Sequence, residues 1–166
     1  CKNGIARKID GGKKVSNDFL KVQPIRNGTV IDHIEAGRGK KVLAILGLEN
    51  SGTTISLLIN VQSKKQERKD IIKIEDRELD ENEIEKLALL SPNARVNIIR
   101  NYAVADKKEV DIPNLIKNIV KCPNENCISN NERGASSKFI ITDRKTMLIQ
   151  CTYCGRKMKR GNFIFL

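Results

Sequence analysis

Residues 29–34 read Thr-Val-Ile-Asp-His-Ile, and this stretch decides the fold because the rest of the first domain is built around it. Its β-branched and apolar side chains favour a strand. Two further strands are predicted at 53–61 and 69–76, where apolar residues recur at alternate positions. Alternation of this kind is typical of a sheet with one buried face, so we expect these strands to share one sheet.

Two helices are predicted between the strands. Residues 37–48 show the helical spacing of apolar side chains. The second helix begins after Asp80, which with Glu83 three residues later forms a capping-box pattern. Strands at 94–99 and 102–104 complete the order β-α-β-β-α-β plus one extra strand. We therefore predict an α+β domain, ferredoxin-like, with an antiparallel sheet and two helices on one face.

Composition and charge divide the chain into four parts. Residues 1–21 are basic and lack periodicity, so we interpret them as a flexible tail. The α+β domain is expected at 22–108, a connector at 109–121, and a small all-β domain at 122–166. Strands of that small domain are predicted at 139–141, 147–149 and 163–166.

Four of the five cysteines form two close pairs, Cys122 with Cys127 and Cys151 with Cys154. The spacings C-x4-C and C-x2-C let each pair present two thiolates to one ion, and zinc takes four such ligands at tetrahedral corners. Because all four positions are cysteines, no coordination site is left open, and we predict one structural Zn²⁺. A module of this size buries little apolar surface, so the metal should supply much of its stability. Cys1 has no predicted role.

Two other interpretations of the cysteines remain. The Cys151/Cys154 pair alone matches a redox dithiol, but the Cys122/Cys127 pair is then without a role. Disulfides are the second alternative, and they require an oxidising compartment. No apolar segment follows the basic start of the chain, so we expect no secretory signal and a cytoplasmic protein.

Length and composition exclude several protein classes. The chain has 166 residues and 18.7 kDa, with 39% hydrophobic and 31% charged residues. Its strongest apolar run, 55–61, is far shorter than the roughly 20 residues that cross a bilayer. Membrane-spanning, collagen-like and fully disordered classes do not fit this composition, and no membrane partner is expected.

The net charge of +11 is concentrated at the two ends of the chain. A basic end favours nucleic acid, an acidic protein face or polyphosphate as a partner, or is simply a solvated surface. The cluster Lys157, Lys159 and Arg160 makes a zinc-ribbon nucleic-acid-binding protein the alternative function. Against it stand the 4% aromatic content, the lack of Trp and the nearly neutral middle. No catalytic triad, P-loop or open metal site is recognisable, so we predict no enzyme activity for this chain alone.

Several motifs, in order and at fitting spacings from about Val22 to the C-terminus, resemble the regulatory chain of aspartate carbamoyltransferase. A run such as GTVIDHI followed later by CPNENCI is far more specific than one cysteine knuckle. The motifs are RNGTVIDHI at 26–34, RKDIIKIE at 68–75, SP at 91–92, VNIIRNY at 96–102, CPNENCI at 122–128 and CTYC at 151–154.

The resemblance implies a non-catalytic subunit of an enzyme of pyrimidine biosynthesis. In that family the N-terminal domain binds nucleotide effectors, with CTP as inhibitor and ATP as activator. The zinc domain docks on the catalytic chain, and pairs of regulatory chains bridge catalytic trimers. The implied assembly therefore contains a catalytic partner and a regulatory-chain homodimer, and no nucleic acid is expected.

The resemblance also implies a set of nucleotide-binding residues. A nucleoside triphosphate needs cations for its phosphates, polar groups for its ribose and an apolar wall for its base. By the family pattern, Lys107 and His33 face phosphates, and Asp32 and Lys73 hold the ribose. Without the resemblance, His33 reads as a partly buried strand residue and the lysines as solvated. The implied base pocket is Val22, Ile25, Ile99, Tyr102 and Val104, with Asn97 as a polar group beside it.

The same pattern implies contacts with the catalytic chain. Asn124 and Asn126 lie between the first two cysteines, and Arg156 matches a basic contact position. Loops whose shape a metal fixes are suitable for such contacts. The sequence departs from the family pattern at two places: Gln23-Pro24 before the nucleotide site, and Gly155 where the family has an acidic residue.

Overall fold

The computed structural model describes residues 23–62 and 68–166. The predicted tail 1–21 with Cys1, the candidate site residue Val22, and 63–67 of the predicted polar loop lie outside the described residues. Within the described part of the chain, no helix combines the length and the apolar character needed to cross a membrane.

The first domain contains a five-stranded antiparallel sheet with the order β2-β3-β1-β4-β5. Strand β1, which contains the Thr29–Ile34 stretch, lies at the centre of this sheet. This arrangement confirms the predicted α+β fold with an antiparallel sheet. The strands are β1 (Gly28–Glu35), β2 (Ile55–Gln62), β3 (Arg68–Glu75), β4 (Arg95–Arg100) and β5 (Ala103–Glu109).

The first helix, α1, runs over Gly39–Ile45 and is shorter than the predicted 37–48. It ends where Gly47 adopts a left-handed conformation with φ of 63°, which a glycine tolerates without steric cost. A 3-10 turn at Leu48–Asn50 follows. The helical periodicity beyond Ile45 therefore belongs to a turn that buries Leu48, not to a longer helix.

The second helix, α2, runs over Glu81–Leu90. Asp80 Oδ1 accepts a hydrogen bond from the Glu83 N–H at 2.8 Å, and Glu83 Oε2 accepts one from the Asp80 N–H at 2.9 Å. These two bonds form the predicted capping box. They satisfy two N–H groups that would otherwise lack a partner at the helix start.

The main core lies between the sheet and the helices. Alternate residues of the central strands point into it, including Ile31, Ile72 and Val96, which are fully buried. Because neighbouring residues of a strand point to opposite faces, Val30 and Lys73 lie on the other face, away from the core. That second face carries three of the predicted nucleotide-binding residues, namely Lys73, Asn97 and Lys107.

Strand β5 is longer than the predicted 102–104, because it continues to Glu109. All of its residues are exposed, and residues 106–109 are all charged. The strand is therefore formed by backbone pairing with β4, without the apolar alternation that signals a strand in a sequence.

The second domain has a four-stranded sheet, β10-β9-β8-β6, and a two-stranded sheet, β11-β7. A one-turn helix, α3, adds to the predicted all-β domain. Strands β6 and β7 fall within the predicted connector 109–121, where Ile116 and Val120 are fully buried in the second core. The bounds are β6 (Leu115–Lys117), β7 (Val120–Lys121), α3 (Ile128–Asn131), β8 (Lys138–Asp143), β9 (Leu148–Cys151), β10 (Lys157–Met158) and β11 (Ile164–Phe165).

Helix α2 contributes to both cores. Leu87, Ala88 and Leu90 are buried in the core of the first domain, whereas Leu89 is fully buried in the core of the second. Phe165 also packs against both cores. The two domains are therefore joined by a shared apolar contact in addition to the peptide chain.

Candidate functional sites: a cysteine centre and a polar sheet face

The four predicted metal ligands converge at one point of the second domain. The Sγ atoms of Cys122, Cys127, Cys151 and Cys154 all lie within 4.8 Å of one another. The Cys122–Cys154 pair is 3.5 Å apart and the Cys127–Cys151 pair 3.8 Å. Four sulfurs bound tetrahedrally at about 2.3 Å from zinc lie about 3.8 Å apart. The donor set and its spacing fit one structural zinc ion with no open position.

Side-chain amides hold the loop between the first two ligands in shape. Asn130 Nδ2 donates to the Cys122 carbonyl at 2.9 Å and to the Asn124 carbonyl at 2.8 Å. Ser129 Oγ lies 3.2 Å from the Cys127 sulfur and donates to it. These bonds orient the ligands and favour the charged sulfur, which is the function of groups that surround a metal centre.

The second knuckle is shaped by backbone geometry. Gly155 has φ of +71°, and its N–H donates to the Cys151 carbonyl at 3.0 Å. A left-handed residue just after Cys154 turns the chain so that backbone N–H groups approach the sulfurs. The glycine that departs from the family pattern therefore suits the backbone conformation at its position.

The four thiols do not share one environment. Burial raises the pKa of Cys122 to about 12 and also raises the pKa of Cys151. The hydrogen bond from the Arg156 backbone lowers the pKa of the exposed Cys154 to about 6. Zinc must therefore displace protons from Cys122 and Cys151, whereas Cys154 is already a thiolate at neutral pH.

Three of the predicted nucleotide-binding residues lie in one row across the open face of the first sheet. Lys73 on β3 is paired with Val30 on β1, Val30 with Asn97 on β4, and Asn97 with Lys107 on β5. Directly paired residues present their side chains on the same face. The register thus brings Lys73, Asn97 and Lys107 together although 34 residues separate the first from the last.

Asp32 and His33 lie where β1 is irregular. The pairing with β3 shifts between Ile31 and Ile34, and His33 has φ of 60°. Such a bulge redirects side chains and is common beside binding sites. His33 Nδ1 lies 3.3 Å from Asp32 Oδ2, and Lys69 Nζ lies 2.6 Å from Asp32 Oδ1.

A cavity of about 220 Å³ joins the bulge to the end of the row. Four of the predicted residues line it, and its cations outnumber its carboxylates. The lining residues are Asp32, His33, Arg95, Asn97, Lys107, Lys108 and Glu109.

The residues predicted for the base pocket lie at the other end of the open face. Ile25 and Ile99 are buried, whereas Tyr102 and Val104 are at least half exposed. Ile99 is paired with Val104 on the neighbouring strand, and the Tyr102 N–H donates to the Arg26 carbonyl at 2.9 Å. Lys73 Nζ donates to the Gln23 carbonyl at 3.2 Å, which ties the first described residues to the same face.

Two further charged residues at this face were missed in the sequence. Lys69 contacts Asp32, and Arg95 is paired with Asp32 across β1 and β4. Strand periodicity contained the signal, because Lys69 lies two positions from Ile71 and four from Lys73, and Arg95 lies two from Asn97. Their proximity to Asp32 depends on register, which the sequence alone does not supply.

Comparison with known proteins gives the same protein family for both domains. Residues 20–111 match the family model described as aspartate carbamoyltransferase regulatory chain, allosteric domain, and residues 114–164 match the metal binding domain of the same chain. These matches favour a regulatory chain over the nucleic-acid-binding alternative.

Three similar chains are each named aspartate carbamoyltransferase regulatory chain. That of Methanothrix thermoacetophila is 47% identical over 140 residues, covering 84% of this chain and 91% of its own length. That of Saccharolobus solfataricus is 50% identical over 138 residues, covering 82% and 87%. That of Haloquadratum walsbyi is 44% identical over 155 residues, covering 93% and 85%.

Proposed function

The chain belongs to the family of aspartate carbamoyltransferase regulatory chains, the non-catalytic partners of the catalytic chains, and from this premise we propose how it acts. The first domain binds nucleoside triphosphates of the CTP and ATP type. The zinc domain docks on the catalytic chain and carries the effect of the nucleotide to it. A ligand that binds better in one quaternary state shifts the population toward that state.

The observation that carries this proposal is the meeting of Asp32, His33, Asn97 and Lys107 in one cavity of about 220 Å³. A cavity of that size is smaller than the usual site for a whole drug-sized ligand, and it suits a phosphate group. We assign phosphate contacts to Lys107 and His33. Charge-assisted hydrogen bonds from such groups are the strong contacts of phosphate sites.

The remainder of the nucleotide extends along the open face of the sheet in this proposal. Asp32 and Lys73 bind the ribose, and Asn97 adds a polar contact. Lys69, 2.6 Å from Asp32, holds that carboxylate in place. The base contacts Ile25, Ile99, Tyr102 and Val104, with Val22 continuing the same wall by the family pattern.

We place the contact with the catalytic chain on the cysteine loops. The Asn126 N–H donates to Asn124 Oδ1 at 3.2 Å, so this loop has one defined shape. Arg156 is exposed in the second knuckle, and Ile128 and Tyr153 beside the ligands are 52% and 41% exposed. Exposed apolar side chains on a rigid loop with a nearby cation are features that protein interfaces use.

Pairing of two regulatory chains is also part of the proposal. Among residues 23–62 and 68–166, no strand pairs with the outer edges of β2 and β5, so the first sheet ends in two open edges. An open edge presents unpaired backbone groups to another strand. Strand β2 carries Leu58, Ile59 and Val61 with part of their surfaces accessible, so we favour this edge for the homodimer. We further propose a cytoplasmic location and the domain bounds 22–108, 109–121 and 122–166.

The decisive experiment uses the complete assembly of this chain with its catalytic subunit. CTP and ATP are titrated separately while the aspartate saturation curve is recorded. We expect each nucleotide to change the aspartate concentration at half-saturation, within the roughly 5- to 150-fold range of typical couplings. An unchanged curve, together with no heat of binding for any ribonucleoside triphosphate in calorimetry, contradicts the proposed nucleotide site.

Docking through the zinc domain has its own test. The assembly is treated with a mercurial or a strong chelator, and its mass is measured in solution. Because the ion fixes the cysteine loops, we expect its removal to release the regulatory chain from the catalytic subunit. An intact assembly after complete zinc removal contradicts docking by these loops.

A further inference from the structure

A single arginine of the zinc domain contacts two elements of the first domain. Arg160 follows β10 by two residues, and its Nη2 donates to Glu35 Oε1 at 2.6 Å and to the Leu90 carbonyl at 2.7 Å. Glu35 is the last residue of β1, and Leu90 is the last residue of α2. Arg160 is separated from Glu35 by 125 positions. We call this set of contacts the Arg160 clamp.

The clamp is partly shielded from water. The Arg160 side chain is 20% exposed and that of Glu35 is 33% exposed. Ion pairs with this degree of burial are screened less than surface pairs, and an arginine guanidinium has a planar geometry that fits both a carboxylate and a carbonyl. The contact is thus directional, and it fixes how the zinc domain is oriented on the first domain.

Glu35 connects the clamp to the polar sheet face. It lies three positions after Asp32 on the same strand, and across the sheet it is paired with Lys69. Lys69 is the residue whose ammonium lies 2.6 Å from Asp32. Asp32 and the clamp are therefore linked by both the β1 backbone and Lys69. A shift of β1 at Asp32 consequently also displaces Glu35.

The second partner of Arg160 lies on the shared helix. Leu89, directly before Leu90, is fully buried in the core of the zinc domain. On the same helix, Lys86 Nζ donates to the carbonyl of Leu166 at 2.9 Å. The end of α2 is therefore held by the zinc domain through packing and through two hydrogen bonds to its residues.

We infer that Arg160 is a positioning residue for allosteric coupling: it transmits nucleotide occupancy at the sheet to the orientation of the zinc domain on the catalytic chain. This inference rests on the proposed nucleotide site. In this proposal Arg160 acts through Glu35 and Leu90, without contacting the nucleotide or the catalytic chain itself. Its effect appears in the coupling between the two sites and leaves the intrinsic affinity of each site unchanged.

The test compares variants in the complete assembly with its catalytic subunit. Arg160→Gln and Glu35→Gln remove the clamp singly and together, and Arg160→Lys retains the charge but loses the planar donor. Arg38→Gln is the matched control, because Arg38 Nε binds the other oxygen of Glu35 at 2.7 Å within the first domain. For each variant, the aspartate half-saturation concentration is measured with and without saturating CTP or ATP.

We expect the ratio of these two concentrations to move at least halfway to one in Arg160→Gln, in line with the couplings seen for residues between sites. Arg160→Lys should lie between this variant and the unaltered chain. The double variant should be no worse than the singles, because both remove the same contact. Nucleotide affinity of the regulatory chain, zinc content and assembly mass should stay unchanged.

If Arg160→Gln has the same ratio of half-saturation concentrations as the unaltered chain, the inference is overturned. It is also overturned if Arg38→Gln reduces the nucleotide effect as much as Arg160→Gln does. A second measurement decides the matter without any nucleotide, namely hydrogen exchange of backbone amides when the catalytic subunit binds. We expect slower exchange in β1 and α2 of the unaltered chain, and protection confined to the zinc domain in Arg160→Gln. Equal protection in both overturns the clamp, whereas loss of all nucleotide response in the unaltered assembly contradicts only the proposed nucleotide site.

Discussion

Asp70 Oδ2 accepts a hydrogen bond from the Gly39 N–H at 2.8 Å, so a buried carboxylate on β3 holds the first residue of α1. Its second oxygen accepts the Asn60 N–H at 2.9 Å, at the irregular end of β2. One side chain thereby satisfies two backbone donors from different elements. A Cβ at Gly39 would lie 2.7 Å from a Leu57 methyl group and 3.0 Å from Asp70 Oδ2, so any larger residue there would displace these side chains.

Asp70→Asn is expected to lower the free energy of unfolding by about 2 kcal/mol, because an amide offers one acceptor oxygen for two N–H groups. Asp106→Asn, on the exposed strand β5, is the control and should change stability by less than about 0.5 kcal/mol. Denaturant unfolding of the two zinc-loaded variants provides the comparison. Equal stabilities would contradict the assigned role of Asp70.

Gly28→Ala should lower the free energy of unfolding more than Asp70→Asn does. Gly28 has φ of +133°, and a Cβ there would lie 2.0 Å from the Ile74 carbonyl oxygen. Backbone cannot move away as a flexible side chain can, so we expect a loss of about 3 kcal/mol. Gly134→Ala is the control, since its φ of +90° is also unfavourable for alanine but its surroundings are open. Thermal unfolding should rank Gly28→Ala well below Gly134→Ala.

Loss of the capping box should weaken α2. Asp80→Ala removes the acceptor of the Glu83 N–H, and such caps contribute about 1 kcal/mol. Asn82→Ala, exposed in the same helical turn, leaves the box intact and should cost less. Because α2 also packs in the second core, hydrogen exchange should increase at β7 and β11 in Asp80→Ala. Exchange unchanged in the zinc domain would argue against a shared helix.

Zinc affinity should depend strongly on pH. Burial raises the pKa of Cys122 to about 12 and also raises that of Cys151, so both bind protons at neutral pH when no metal is bound. Zinc must displace at least these two protons, and its apparent affinity should therefore rise by at least about 100-fold per pH unit between pH 7 and 8.5. Cys154, with a pKa of about 6, adds a further proton only below that pH, where the dependence should steepen.

Competition with a chromophoric chelator measures this dependence. A slope of less than two in the logarithm of affinity against pH would contradict the assigned protonation states. Cys1→Ser serves as the control, since Cys1 belongs to neither cysteine pair of the sequence, and this substitution should leave the slope unchanged.

Lys107→Gln should weaken nucleotide binding by about 10-fold, the usual contribution of one charge-assisted hydrogen bond. Lys117→Gln is a matched control, because Lys117 is an exposed lysine on β6 of the other domain. Calorimetric titration with CTP and ATP at one fixed salt concentration tests both variants. Equal affinities would remove Lys107 from the proposed phosphate contacts.

Local signals in the sequence predicted much of this molecule. The capping box of Asp80 and Glu83, the β-branched run of β1 and the apolar alternation of β3 depend on neighbouring residues, and the structure contains them. The convergence of four cysteines followed from the preference of zinc for four thiolates, although the pairs are far apart in the chain.

Features that depend on strand register or on pairing between surface residues could not be predicted from the sequence. Strand β5 carries no apolar alternation, so its full length was missed. Lys69 reaches Asp32 only because β1 has a bulge. Arg160 was interpreted as part of a solvated or nucleic-acid-binding cluster with Lys157 and Lys159, yet it is held by Glu35 from the opposite end of the chain. No short sequence pattern encodes a contact across 125 positions.

The shared helix α2 limits how this chain can be recombined with its relatives. A hybrid joined within residues 109–121 would unite the zinc domain of one parent with Leu89 of another, and the cavity or overlap at that position would destabilise the second core. Crossovers placed before Glu81 would transfer the helix, both of its packing surfaces and the cysteine knuckles as one inherited unit.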